Sequence, residues 1–439
     1  MTANEALGLA ALGSLLIGIF AGFPIAFTLL SLTVLFGYLG LGNRVFDIMV
    51  FQAWGLMREE TLAAVPLFVF MGYVLEQAGL VERLFRGFQY VLARMKGSLY
   101  VGVILTATLF ATATGLVSAS VTLLGIMAGP VMRRSGYDPA LSAGAITAGG
   151  TLGILIPPSV MLVVLGPVVG VSIAKLFAGA LVPGLLLSAL FVIYSLARAF
   201  LNPSLGPPLP PEQRPVSLRA SLRELVVGVV PLQLLMLVTL GSILAGLATP
   251  TEAAGLGAFG ALMLTIAYGR FSLRGLRQAI YRTVSTTSMI MLLLATSNMY
   301  GAIFNRLGTG PFLARSLLEL DLPPMGMLLG LMAIIFLLGW PLEWAPIIFI
   351  FLPIFLPAIR AANIDLLWFS VLVAVNLQTA FLSPPVAQAA YFLRAVVPEW
   401  QLGQIYLGML QFMILQVIGL LLVLLFPDIA LWLPRVLYD

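Results

Sequence analysis

The chain has 439 residues, of which 61% are hydrophobic and only 9% charged, with a formal net charge of +5 and neither cysteine nor histidine. Soluble domains carry about 25% charged residues, so this chain lacks the polar material to coat a water-facing surface. Zinc, haem and iron–sulfur sites lose their usual ligands, and Ser–His and Cys–His catalysis and disulfides are excluded.

The mean hydropathy is +1.09. Roughly ten apolar stretches approach the ~20 residues that a bilayer crossing needs, which predicts an all-α polytopic membrane protein set in a lipid bilayer. The net positive charge then reflects basic loops beside the membrane, and no nucleic-acid partner is expected. Met1 to Ala10 has no basic residue and runs into unbroken apolar sequence, so a cleaved signal peptide is not expected.

The first apolar block covers about Ala6 to Leu41 and is interrupted at Gly22-Phe23-Pro24, which predicts two spans. Residues 43–62, with Arg44, Asp47, Arg58, Glu59 and Glu60, read as an interfacial amphipathic segment. A span at about Val65 to Gly79 leads to a charged arm with Glu82, Arg83, Arg86, Arg94 and Lys96. The stretch at about 98–132 ends at Arg133-Arg134, and the next, at about 140–170, is broken by Pro157-Pro158. A span at about 174–197 closes the first half. Residues 202–216 contain six prolines and read as a linker.

The second half begins with spans at about 226–247 and 252–268 and a basic loop carrying Arg270, Arg274, Arg277 and Arg282. A span at about 286–304 leads to an arm at 305–322. Then come an apolar stretch at about 325–357, a second at about 366–395 broken at Pro384-Pro385, and a last span at about 404–426.

Landmarks recur between the halves. Pro130 and Pro357, Asp138 and Asp365, and Pro157-Pro158 and Pro384-Pro385 are each separated by 227 positions. Such order and spacing predict an internal duplication: a first repeat at 1–200, a cytoplasmic linker at 201–225 and a second repeat at 226–439. The loops at 83–96, 133–134, 198–223 and 270–282 hold most of the Arg and Lys, which places them in the cytoplasm. Both ends of 98–132 then lie on one side, so this stretch is a re-entrant hairpin. The same logic makes 325–357 an outer hairpin. Ten crossings, two hairpins and outside termini follow, and the second copy is inverted relative to the first, as in secondary transporters.

Each broken span frees backbone groups that hydrocarbon cannot satisfy, so the breaks must face protein or a polar cavity. Carbonyls at the end of one half-helix suit a cation, and amides at the start of the next suit an anion. Paired breaks at Gly149–Ser159 and Asn376–Val386 therefore point to a substrate site near the midplane. The hairpin turns, Thr112–Ser120 and Leu338–Glu343, offer hydroxyl and carbonyl oxygens of the kind a hard cation prefers. Thr114 and Ser118 serve equally as small packing residues between helices. Glu343 is an acidic group deep in an apolar run, and such groups mark functional positions in membranes. Glu252, just after Pro250, reads as a charge at a helix start.

The stretches Ala64–Gly72, Gly136–Ala140, Gly149–Ser159, Thr249–Ala254 and Ser383–Pro385 together resemble the large membrane (DctM-like) subunit of tripartite ATP-independent periplasmic (TRAP) transporters. Leu338–Trp344 and Gln378–Arg394 look most similar to the mannitol/chloroaromatic branch. Relatives in that branch are often linked to 2-oxo or 2-hydroxy acids.

The resemblance implies an elevator-type symporter of the ion-transporter superfamily that imports an organic acid with Na⁺. The spans at the start and end of each half would form its scaffold. The spans near 66–79 and 286–304 would move with the hairpins and broken helices. Two Na⁺ ions are implied. One would lie between Thr114/Gly115 and the backbone around Gly153, Ile156 and Ser159, the other between Gly339 and Ala380, Ser383 and Val386. A carboxylate would sit between them, with Thr114, Ser118, Thr151, Ser159, Asn376 and Gln378 as its contacts and Glu343 as a candidate for coupling. Departures from the family pattern are Thr114 for serine, Glu343 for aspartate, Val386-Ala387-Gln388 after Pro385 where a glycine is common, and Ala380 for glycine or serine.

The implied partners are a small four-span membrane subunit and a periplasmic substrate-binding protein, and the implied place is the bacterial or archaeal cell membrane. A stand-alone Na⁺- or H⁺-coupled anion carrier of the same fold is the alternative. A channel fits the paired breaks poorly, and an intramembrane enzyme has no catalytic pair to use.

Overall fold

The computed structural model describes residues 1–210, 218–384 and 387–438, with the backbone alone at 111–114, 218 and 220. Among them every regular element is helical. The first half contains α1 (Ala3–Phe20), α2 (Ile25–Leu41), α3 (Arg44–Met57), a 3₁₀ turn (Glu60–Ala63), α4 (Ala64–Gln77) and α5 (Leu80–Val91). A hairpin of α6 (Ser98–Thr114) and α7 (Val117–Arg134), the broken pair α8 (Pro139–Thr151) and α9 (Val160–Val169), and α10 (Ile173–Leu201) complete it.

The second half contains α11 (Leu218–Leu244), α12 (Pro250–Ala267), α13 (Leu273–Arg306), α14 (Thr309–Leu318) and α15 (Pro324–Leu338). Next come α16 (Trp344–Pro346), continued by a π-helical turn (Ile347–Phe351) into α17 (Leu352–Ala361), and the broken pair α18 (Leu366–Leu377) and α19 (Gln388–Val396). The chain ends with α20 (Leu402–Leu425) and α21 (Asp428–Tyr438).

Seven of the described helices are long and apolar enough to cross a membrane, or eight if the pair 60–77 and 80–91, bent by 59°, is one span. The broken spans escape that test because each is two short helices. This is a multi-pass membrane protein.

The landmark residues have structural reasons. Asp138 accepts the backbone N–H of Leu141 at 2.7 Å, and Asp365 accepts that of Trp368 at 2.8 Å. Each carboxylate thus caps the helix that enters a break, satisfying a donor the first turn leaves free. Pro130 lies inside α7 and Pro357 inside α17, at the same place in the descending arm of each hairpin.

Three expectations change. The basic loop expected at 270–282 is mostly the start of α13, a continuous helix of 34 residues capped by Ser272. Charge lowered its hydropathy, but no proline interrupts it. The linker expected at 201–225 is shorter, because α11 begins at Leu218. Its first part also packs down: Leu209 is fully buried and donates its backbone N–H to Ala93 O at 3.1 Å.

The third change concerns grouping. The most extensive packing joins α4 to α12, α5 to α11, and α13 to α2 and α4. A second group joins α20 to α8, α10 to α6, α18 and α21, and α7 to α8 and α19. The last long span of each half therefore packs with the hairpins and broken helices, and α4 and α13 pack with the first spans. Small residues cause this. A Cβ on Gly408 of α20 would lie 1.8 Å from Ala140 O, and one on Gly144 of α8 would lie 2.6 Å from Gly408 O. Only paired glycines allow backbones to approach so closely.

Candidate functional site

In the first break, α8 gives way to a 3₁₀ turn at Leu152–Ile154, and helical geometry resumes at Val160. Pro157 and Pro158 supply no backbone N–H, so the loop between cannot stay helical. The Ser159 hydroxyl donates back across the loop to Ile154 O at 2.5 Å. In the second break, a 3₁₀ turn at Gln378–Phe381 follows α18, and the Ser383 hydroxyl donates to Thr379 O at 2.7 Å. Each serine, fully buried, keeps lone pairs for another ligand. Val386, with Pro385, lies outside the described residues.

Each hairpin tip rests on one break. Gly115 turns the first tip with φ +60°, and a Cβ there would lie 3.4 Å from Val160 N and 3.5 Å from Pro158 O. The tip and the break therefore meet through backbone, and one of the two facing groups, the Pro158 carbonyl, is an oxygen of the kind a hard cation takes. The Thr114 side chain lies outside the described residues. At the second tip a Cβ on Gly339 would stand 3.1 Å from Ala380 Cβ. Gly115 is thus brought against Pro158 and Val160, and Gly339 against Ala380.

Between the two tips lies a cavity of about 410 Å³. Its wall includes Gly115–Ser118, Val160 and Met161, Glu343–Ala345, and Gln388, which are the first residues of α7, α9, α16 and α19 or lie just before them. Four helix starts converge on one space. Each carries about half a positive elementary charge from its unpaired amides. Among the described wall residues there is no Lys or Arg.

Glu343 also borders a smaller cavity of about 100 Å³ beside Gly339 and Ala380. Gln388 Nε2 donates to Glu343 Oε1 at 2.5 Å, tying the second tip to the start of α19. The opposite wall is α13, through Thr286, Met289, Ile290 and Leu293. The Thr286 and Tyr73 hydroxyls are 2.9 Å apart, linking that wall to α4.

Of the residues expected to contact a substrate, Ser118 is in the cavity wall. Thr151, Asn376 and Gln378 lie behind the breaks. Gln416 Nε2 donates to Thr151 Oγ1 at 3.0 Å, Thr151 Oγ1 lies 3.3 Å from Gln378 Oε1, and Asn376 Nδ2 donates to Met332 O at 2.7 Å. All four polar side chains are fully buried. Thr151 and Gln378, 227 positions apart, meet where the two breaks back onto each other. Sequence reasoning missed Gln388, Thr286, Met289, Tyr391 and Phe392 in the wall, and Gln416 behind it. Gln388, a polar residue soon after Pro385, carried the best available signal.

Residues 12–429 match the family described as "Tripartite ATP-independent periplasmic transporter, DctM component". The chain belongs to this family. It is 32% identical over 381 residues to the C4-dicarboxylate TRAP transporter large permease protein DctM of Pseudomonas aeruginosa, covering 85% of this chain and 86% of that protein. It is 30% identical over 424 residues to the sialic acid TRAP transporter large permease protein SiaM of Vibrio cholerae, covering 95% and 96%.

The crystal structure of the Alcanivorax borkumensis YdaH transporter has the same fold, with a TM-score of 0.65 at 17% identity over 94% of this chain and 97% of that one. As a TRAP large permease the chain is a transporter component and not an enzyme, and the family name describes a tripartite system. The breaks, tips and cavity are the permease's own.

Proposed function

We propose that this permease imports an organic acid with Na⁺ by an elevator motion, receiving it from a periplasmic binding protein. The observation that carries this reading is the convergence of four helix starts on one cavity whose described wall holds no Lys or Arg. Oriented backbone amides favour an anion there without a competing side-chain cation. The relatives named for C4-dicarboxylate and sialic acid transport carry acidic substrates, in agreement.

Two Na⁺ sites flank the cavity in this reading. The first is bounded by Thr114, Gly115, Gly153, Ile156 and Ser159, the second by Gly339, Ala380, Ser383 and Val386. Backbone approach at Gly115 and the buried serine hydroxyls supply hard oxygen donors of the right kind. When bound, Na⁺ neutralises part of the carboxylate charge and draws each tip onto its break. The protein's own residues orient the tips, through Gly115 and the Glu343–Gln388 bond, and exclude water from the apolar wall.

The repeats at 1–200 and 226–439, joined by the cytoplasmic linker, are inverted, with ten crossings and both termini outside. The helices around α8, α18, α10 and α20 move as one body against those around α4, α12 and α13. A small four-span subunit braces the latter, in a bacterial or archaeal inner membrane. Reconstituted protein with its small subunit and binding protein should accumulate substrate only under an inward Na⁺ gradient. Equal uptake in choline medium would overturn the Na⁺ assignment, and uptake without the binding protein would favour a stand-alone carrier.

A further inference from the structure

The cavity wall says more about cargo than its anion preference. Of its eighteen described residues twelve are apolar, five polar and one is glycine. Trp344, Phe381 and Phe392 give it aromatic faces, and Met161 and Met289 add adaptable apolar surface. The five polar residues are partly committed: Glu343 holds Gln388, and Thr286 holds Tyr73. We propose that the substrate is a monocarboxylate with an apolar body, aliphatic or aromatic, in place of a dicarboxylate or a polyhydroxylated acid. This rests on the carrier reading above and names the cargo of the same cavity.

Two arguments lead there. The first is electrostatic. One carboxylate is met by the helix starts, whereas a second would enter a space whose only described charged side chain is the carboxylate of Glu343. Like charges sharing one cavity repel, and the described wall residues include no guanidinium or ammonium to offset them. The second is desolvation. A sugar acid brings many hydroxyls, each of which must exchange water for a protein partner or lose the bond. Twelve apolar wall residues cannot supply those partners, but they accept an alkyl or phenyl group well. The relatives named for C4-dicarboxylate and sialic acid therefore share this fold while their cargoes make different demands of the cavity.

The chain contains no cysteine, so Ser118→Cys places a single thiol in the wall. Its labelling by N-ethylmaleimide in proteoliposomes reads occupancy directly. The probes are 4-methylpentanoate, 3-phenylpropanoate, succinate and N-acetylneuraminate, each in Na⁺ and in choline. Glu319→Cys, an exposed position, controls for partition of the apolar acids into lipid.

The expected result is protection of Ser118→Cys, and not of Glu319→Cys, by both apolar monocarboxylates at concentrations about tenfold or more below those of succinate and N-acetylneuraminate. Adding Glu343→Gln should narrow the gap between succinate and the monocarboxylates by about threefold or more, because it removes the like charge from the wall. Equal or stronger protection by succinate or N-acetylneuraminate overturns the inference and leaves the carrier reading standing. Protection by the monocarboxylates that is identical in choline upholds the cargo class and overturns Na⁺ coupling. Protection by none of the four overturns the inference.

Discussion

The two hairpin tips occupy matching places and are built differently. The first turns on one glycine at φ +60°, a conformation that L side chains rarely adopt, and touches its break through backbone. The second runs through Gly339, Trp340, Pro341 and Leu342 to Glu343. Gly339 itself is in ordinary helical geometry, and the tip is held by a side-chain bond from Gln388 to Glu343. The first tip is fixed by conformation and the second by a removable polar tie.

Substitutions at the tips test that contrast. The largest effect is expected for Gly115→Ala. Holding a non-glycine residue in the left-handed region takes about 1–2 kcal/mol, while the added methyl meets the Pro158 carbonyl only at ordinary contact distance, so backbone strain alone should raise Na⁺ half-saturation for uptake by about tenfold. An unchanged Na⁺ dependence would remove the first site. Next, Gln416→Leu leaves the Thr151–Gln378 pair behind both breaks without its third partner. It should lower stability by about 1–3 kcal/mol, read as a lower melting temperature in detergent, with an unchanged melting temperature counting against a shared brace.

A smaller change is expected for Gly339→Ala, which brings no backbone strain and only crowds Ala380. A loss of about threefold in Na⁺ affinity, restored by adding Ala380→Gly, would sharpen the contrast, whereas a loss equal to that of Gly115→Ala would erase it. Smallest of all, Arg282→Gln removes a 3.2 Å ion pair to Glu76 whose arginine is half exposed. Stability should fall by less than about 1 kcal/mol, because exposed pairs are weak. A large loss of uptake there would mean that the α4–α13 wall, and not the tips, controls release.

Much of this was legible in sequence because it depends on backbone chemistry. Pro157-Pro158 and Pro384-Pro385 stop helices wherever they stand, and Asp138 and Asp365 cap the helices that follow. Gly115 has a turn to make. The residues that give the cavity its character were less legible. Thr286 and Met289 lie mid-way along a 34-residue helix, and Tyr391 and Phe392 on a nine-residue helix just after a break, so local pattern does not say which neighbour each one meets. Which side meets the cavity is decided by packing between distant segments. The exchange of α4 and α13 with α10 and α20 between the two groups has the same origin: close approach at Gly144 and Gly408 is a property of the pair, invisible in either helix alone.

One wall of the cavity belongs to α13, whose 34 residues make a rod about 51 Å long at the helical rise. The apolar core of a bilayer is only about 30 Å thick, so some two-fifths of the rod must stand in the headgroups or tilt to stay in register with them. Its first turns carry Arg274, Arg277 and Arg282, the last of them paired with Glu76 of α4. A change of bilayer thickness would therefore strain this rod, one wall of the cavity, more than the shorter spans around it.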